Sequence, residues 1–281
     1  AANGYHSPTF ENFRAMLPIY QERVEAQYIG GKDPLGHTYL GSNGDPAKGN
    51  TTPANRYGAD VMRPAFLAAY TGGGTTRELN IFPTLSRMLP NWSLTYKGLS
   101  NLPLLRDYFK SVTITHGYKS IYAVGSYSTF STYMEYMNGL GFITNAATSM
   151  PIPNSMYNIS QVSINEAFSP LLGLNVTLKN DMTLKMEYRT TRVVNLSMTS
   201  VQLSEATSKD WVVGMAYKIP DFTLFSSSNH RKVKNSGNKN SEQEQTTRTS
   251  TRRRGGFSHD LNLRLDISYR SQAAINRDIA T

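Results

Sequence analysis

From Pro90 onward, polar and apolar residues alternate. Trp92, Leu94 and Tyr96 alternate with Ser93, Thr95 and Lys97. Val112, Ile114, His116 and Tyr118 follow, then a weaker run from Ile159 to Phe168, then Leu172, Leu174, Val176 and Leu178. After an Asn180-Asp181 turn come Met182, Leu184, Met186 and Tyr188, set against Thr183, Lys185, Glu187 and Arg189. Trp211, Val213, Met215, Tyr217 and Ile219 form the next face. The last run sets Leu261, Leu263, Leu265, Ile267 and Tyr269 against Asn262, Arg264, Asp266, Ser268 and Arg270. Strict period-two alternation predicts β-strands with one apolar and one polar face, about seven in all. Residues 1–90 lack it and read as an irregular, partly helical segment. A short helix capped at Ser7-Pro8-Thr9 runs to about Leu17, where Pro18 interrupts it. A turn or two more is expected over Ile19 to Tyr28, a loop from Gly30 to Asn55, and a short helix from Pro64 to Tyr70 ending at Gly72-Gly73-Gly74.

Alternating strands suit either a soluble sheet, which buries its apolar face, or a membrane barrel, which turns that face to lipid and the other to a wet lumen. Leu261 to Tyr269 spans about 26 Å at 3.3 Å per residue, or about 20 Å of height at a tilt of about 40°, which approaches the ~25 Å apolar band of outer-membrane barrels. Both tryptophans begin apolar faces, and tyrosines stand at or near their ends, as in two interfacial girdles. No second sheet is evident for the apolar faces to pack on. The expected fold is all-β, part of a large antiparallel transmembrane β-barrel, with residues 91–281 giving its strands and residues 1–90 a luminal or periplasmic segment. Leu184, Met186, Val213, Met215, Leu263, Leu265 and Ile267 are expected to face lipid, and Lys185, Glu187, Arg189, Arg264 and Asp266 the lumen. Trp92, Tyr118, Trp211, Tyr217 and Tyr269 are the expected interfacial aromatics. Arg192 conflicts with this pattern: regular continuation from Tyr188 puts it on the lipid side. It is tolerable only near an interface, or if a bulge near Thr190-Thr191 turns it inward.

Composition sharpens the picture. Only 17% of residues are charged and 39% hydrophobic; Ser, Thr, Asn, Gly and Tyr make up the difference. There is no cysteine, so disulfides, thiolate metal sites and cysteine nucleophiles are excluded. No apolar run approaches the ~20 residues of a transmembrane helix, a test that barrel strands evade. The net charge of +9 is local: residues 226–256 hold eight basic and two acidic side chains, a net +6. This stretch, with Arg231, Lys232, Lys234, Arg252, Arg253 and Arg254, has almost no apolar residues and reads as a long solvated loop. Its basic residues lack the interleaved aromatics of nucleic-acid binders, so lipid phosphates are the better anionic partner.

Catalytic motifs are scarce. The five histidines are dispersed, and His116 on an apolar strand face reads as a packed residue. Gly139-Leu140-Gly141 lacks the rest of a dinucleotide loop, and Gly72-Gly73-Gly74 lacks the Lys-Ser/Thr of a phosphate loop. No enzyme and no cofactor is expected.

Several segments, in order along the chain, resemble the SprA/Sov family. They are Pro64 to Gly72, Leu89-Pro90-Asn91-Trp92 with Tyr96-Lys97-Gly98-Leu99, His116 to Ser120, and Phe168 to Gly173 with Lys179-Asn180. Tyr188-Arg189, Asn195 to Met198, Gln202 to Glu205 and Asp260 to Arg264 continue the series. The resemblance implies an exceptionally large single-chain barrel in a bacterial outer membrane, the translocon of type IX secretion. Its lumen would pass folded cargo, including the adhesins of gliding relatives. It also implies as partners a PorV-type shuttle barrel, a plug protein and a periplasmic prolyl isomerase, besides lipid and lipopolysaccharide. It transfers no site residue. The chain would be one part of a longer polypeptide, since it starts without a signal peptide and stops just past a strand. The rival expectations are a soluble β-rich module using its basic loop, and an ordinary porin or nutrient receptor.

Strand parity adds an orientation. With connections near Ser169-Pro170, over Thr199 to Asp210 and after Arg270 on one side, that side holds only short or medium links. The Asn180-Asp181 turn and residues 226–256 then share the other, expected to be extracellular because outer-membrane barrels keep long loops outside.

Overall fold

The computed structural model describes residues 7–71, 90–137, 139–222 and 259–280. The fold is mostly β. Among the described residues, two helices, α1 (Pro8–Tyr28) and α2 (Ala59–Thr71), precede eleven strands and a short helix, α3 (Pro103–Arg106). The main sheet is antiparallel and open, in the order β1 (Trp92–Tyr96), β2 (Phe109–Val124), β8 (Gln161–Leu178), β9 (Met182–Ser197), β10 (Gln202–Phe222) and β11 (His259–Asp278). The remaining strands are β3 (Tyr127–Thr129), β4 (Met134–Met137), β5 (Leu140–Thr144), β6 (Pro151–Asn154) and β7 (Tyr157–Ile159). They form two small sheets between β2 and β8.

The N-terminal segment is more ordered than its Gly and Pro content suggests. Ser7 caps α1, its side chain accepting from the Phe10 N–H, as expected. The helix then runs through Pro18 to Tyr28, where a break was expected. Its buried stripe explains why: Phe10, Phe13, Leu17, Tyr20, Val24 and Tyr28 recur at helical spacing, while Pro18 lies on the exposed side. Burial of that stripe outweighs the lost backbone bond. In α2 the segment around Pro64 extends back to Ala59 and buries Val61, Met62, Ala65, Phe66, Ala68 and Ala69. Gly30 to Asn55 is a loop with two isolated bridges. The Gly72-Gly73-Gly74 terminator lies outside the described residues.

Both helices pack on one half of one sheet face. Val162, Ile164, Val194, Leu196 and Leu203 of the sheet share a core with Phe13, Phe66 and their neighbours, and Phe142 of β5 joins them. The apolar face therefore does have a cover over half its length, supplied by the segment read as irregular.

Two strand expectations change. Ile159 to Phe168 and Leu172 to Leu178 belong to a single strand, β8, so the main sheet has six strands. Ser169-Pro170, expected as a connection, is a cis peptide inside β8. It sits in an irregularity facing a second one in β2 between Thr115 and Tyr118. A Cβ on Gly117 would come 3.2 Å from the Ser169 carbonyl oxygen, and the His116 Nδ1 lies 2.6 Å from that of Leu171, so the irregularities fit together. The medium link over Thr199 to Asp210 shrinks to residues 198–201, because β10 starts at Gln202.

Candidate membrane-facing surface and charged face

The pairing register fixes which side chains share a face. Leu184, Met215 and Leu265 stand side by side on β9, β10 and β11, as do Met186, Val213 and Ile267; Tyr217 pairs with Met182 and Leu263. Among the described residues, no helix covers these rows. Leu263, Leu265 and Ile267 are 52%, 55% and 60% exposed on the edge strand, and Val213 and Met215 are exposed on the inner strand β10. All seven residues expected on the apolar face lie together on it.

An aromatic row crosses the sheet between the bare rows and the helices. Trp92 stacks on Tyr118 with ring centroids 4.5 Å apart, and Tyr118 lies 4.8 Å from Phe168. The row steps by two residues at β8 and continues through Tyr188, which stacks on Trp211 at 4.4 Å, to Tyr269 in register beside it. Four of the five expected interfacial aromatics thus fall in one row, joined by Phe168 and Tyr188. Tyr217 stands apart, six residues beyond Trp211, or about 20 Å along the strand. Tyr118 is only 3% exposed, since Trp92 and Phe168 flank it and its hydroxyl donates to Glu166 at 2.7 Å.

The opposite face carries paired charge. Glu187 takes Lys185 at 2.8 Å on one side and Arg189 on the other. Arg270 bridges from β11 to Asp210 of β10 at 2.8 Å, Arg264 pairs with Asp266 at 2.5 Å, and Lys218 with Asp260 at 2.6 Å. Gly214 makes room for the acid: a Cβ there would meet the Asp266 Oδ1 at 2.6 Å. The five residues expected on a polar face share it. The helices pack on the other face, so residues 7–71 and the paired charges lie on opposite sides of the sheet.

Arg192 is neither turned inward nor unpaired. Pairing between β9 and β10 is regular through Thr190 and Thr191, so no bulge rotates it. It lies on the apolar face beyond the aromatic row, where α1 begins. Its Nε donates to the Glu205 Oε1 at 2.8 Å and its NH2 to the Thr9 hydroxyl at 2.6 Å, with the Tyr70 ring 5.8 Å away. Ser7 donates to the other Glu205 oxygen at 2.5 Å. The cap of α1 is therefore tied to the sheet through a carboxylate that is 4% exposed. Sequence reasoning missed Glu205, whose signal was its place two residues from Leu203 on the same face, directly across from Val194.

The basic residues Arg231, Lys232, Lys234, Arg252, Arg253 and Arg254 lie outside the described residues. Among the described residues, no group of His, Asp and Glu is placed to hold a metal, and no helix is long and apolar enough to cross a membrane. No protein-family model matches the chain, and no curated protein is similar to it in sequence.

Proposed function

We infer that this chain supplies wall strands to an outer-membrane β-barrel that conducts folded protein, of the kind the SprA/Sov resemblance implies. One observation carries the reading: a single sheet face has bare apolar rows bounded by aromatics, and the opposite face is lined with ion pairs. Strands of 16 to 21 residues are far longer than the ~9–11 that span a bilayer, which leaves room for a second, helix-covered part outside it. The open edges at β1 and β11 would be paired by further strands of a closed barrel, because lipid offers unpaired backbone nothing to bond.

The mechanism is passive. Lipid solvates the apolar rows. The charged face presents groups already neutralised within the wall, so a passing protein meets water and paired charge in place of an apolar surface to stick to. The energy of transport comes from elsewhere. A PorV-type shuttle, a plug and a prolyl isomerase remain the partners that the resemblance suggests.

Depleting the protein tests this directly. Cargo proteins should disappear from the cell surface and medium and accumulate folded in the periplasm; unchanged export would refute the role. The soluble-module reading draws on the helices, which cover half the apolar face as they would in a two-layer domain. It predicts that the chain stays monomeric and folded in buffer without detergent.

A further inference from the structure

The helical layer and the bare apolar rows occupy the same sheet face. Three neighbouring strands carry both: Met186 and Val194 on β9, Val213 and Leu203 on β10, and on the edge strand β11 Ile267 and Arg277, which reaches Phe10 and Glu11 of α1. Pairing among these strands is unbroken between the two zones, so no bulge moves side chains across the sheet. Whatever side of a wall Val213 faces, Leu203 and the helices above it face the same side.

The order of side chains along that face is informative. The apolar rows come first, then Tyr188, Trp211 and Tyr269. Next comes a strip of Thr190, Lys209 and Ser271 in mutual register, with Lys209 and Ser271 exposed. Arg192 follows, and with it the start of α1 at Thr9 and the end of α2 at Tyr70. Hydrocarbon, amphipathic rings, hydroxyl with ammonium, then packed protein is the polarity sequence of one half of a bilayer. The scale fits too. Trp211 to Lys209 is two residues, about 7 Å; the interfacial layer on each side of a bilayer is about 5–7 Å thick.

Resting on the reading of the sheet as barrel wall, we propose that α1 and α2 form a collar outside that wall, on the surface of one leaflet. The strip of Thr190, Lys209 and Ser271 beneath the collar faces that leaflet's phosphate headgroups. The Lys209 ammonium supplies charge-assisted hydrogen bonds to phosphate oxygens, and the flanking hydroxyls supply neutral ones. A luminal plug formed by these helices is incompatible with the shared face.

Nitroxides placed singly at 265, 209 and 264 of the full-length protein, in vesicles doped with a lipid whose headgroup chelates Ni2+, separate the possibilities. The label at 265 should be relaxed strongly by dissolved oxygen, reporting hydrocarbon. The label at 209 should show the strongest relaxation by the chelated Ni2+, at least severalfold above that at 264. If 265 reports hydrocarbon but 209 is relaxed no more than 264, the collar is wrong and the wall stands. If 265 lacks the oxygen signal, the wall reading fails, and the collar with it.

Discussion

Arg192 shows what a single residue's environment adds to a pattern. Its place on the apolar face was readable from alternation alone; the Glu205 carboxylate and the Thr9 hydroxyl that receive it were not, because they come from positions 13 and 183 residues away. Glu205→Ala leaves the guanidinium without its charged acceptor and frees the Ser7 cap. It should lower the stability of the helical layer by about 1.5–3 kcal/mol, the usual worth of a hydrogen bond to a charged group. Hydrogen exchange of α1 amides measures this, and unchanged protection would show that the network holds nothing. Asp60 predicts a pH dependence. Burial pushes its carboxyl up to about 7, with the nearby Arg63 guanidinium opposing only in part, and its Oδ1 has no hydrogen-bond partner. The folded form thus keeps a proton that the unfolded chain releases near 4, so stability falls as pH rises from about 4 to about 7 and levels off above. Thermal unfolding of the helical layer should come at lower temperature at pH 8 than at pH 5, and Asp60→Asn should flatten the difference.

Among the elements, strands were more legible than helices. Alternation in β9, β10 and β11 sorted the side chains onto two faces as the pairing register has them, because a period of two has only two outcomes. It did not give every strand's ends: β2 runs on to Val124 and β10 starts at Gln202, beyond the strictly alternating stretches that mark these strands in the sequence. The stripe of α1 was equally periodic, yet a proline in its middle reads as a stop. Only the core beneath shows that the helix continues. Pro18→Ala restores a backbone bond on the exposed side and should stabilise α1 by up to about 3 kcal/mol. A rise in the melting temperature is the expected outcome, and a fall would mean that the proline sets a bend the packing needs. Phe66 stands at the centre of the interface, fully buried and edge-on to Phe13 with centroids 6.2 Å apart. Phe66→Ala should cost about 3–5 kcal/mol and release the helices while the sheet pairing persists. In β8 the expected break at Ser169-Pro170 fails because the strand absorbs it as an irregularity matched by one in β2.

For the whole molecule, the connections remove the premise from which the orientation was expected. Residues 125–160, with β3 to β7, join β2 to β8 at the same end as the tight turn at 198–201 and the helical layer. Phe222, His259 and the turn at 179–181 lie at the other end. A long stretch of sequence therefore leaves from each end, and the rule that long loops lie outside no longer selects one of them. What the sequence could not display is that one face serves two purposes, half packed on protein and half bare. Alternation is identical in the two halves, and only the tertiary contacts tell them apart. Placing a charge on the bare half should be costly where the same charge on the opposite face is not. Leu265→Arg at midplane should cost about 2–4 kcal/mol and reduce outer-membrane assembly, whereas Arg264→Leu should be mild.

The most direct test of the wall is a nitroxide scan from Leu261 to Arg270 in the full-length protein in lipid. β11 carries the clearest alternation, and the chain's lack of cysteine leaves no competing attachment site within it. The account predicts accessibility to dissolved oxygen at 261, 263, 265, 267 and 269, and to a water-soluble nickel chelate at 262, 264, 266, 268 and 270, with a period of two throughout. Equal access to both reagents along the strand, or odd positions reached by neither, would contradict it.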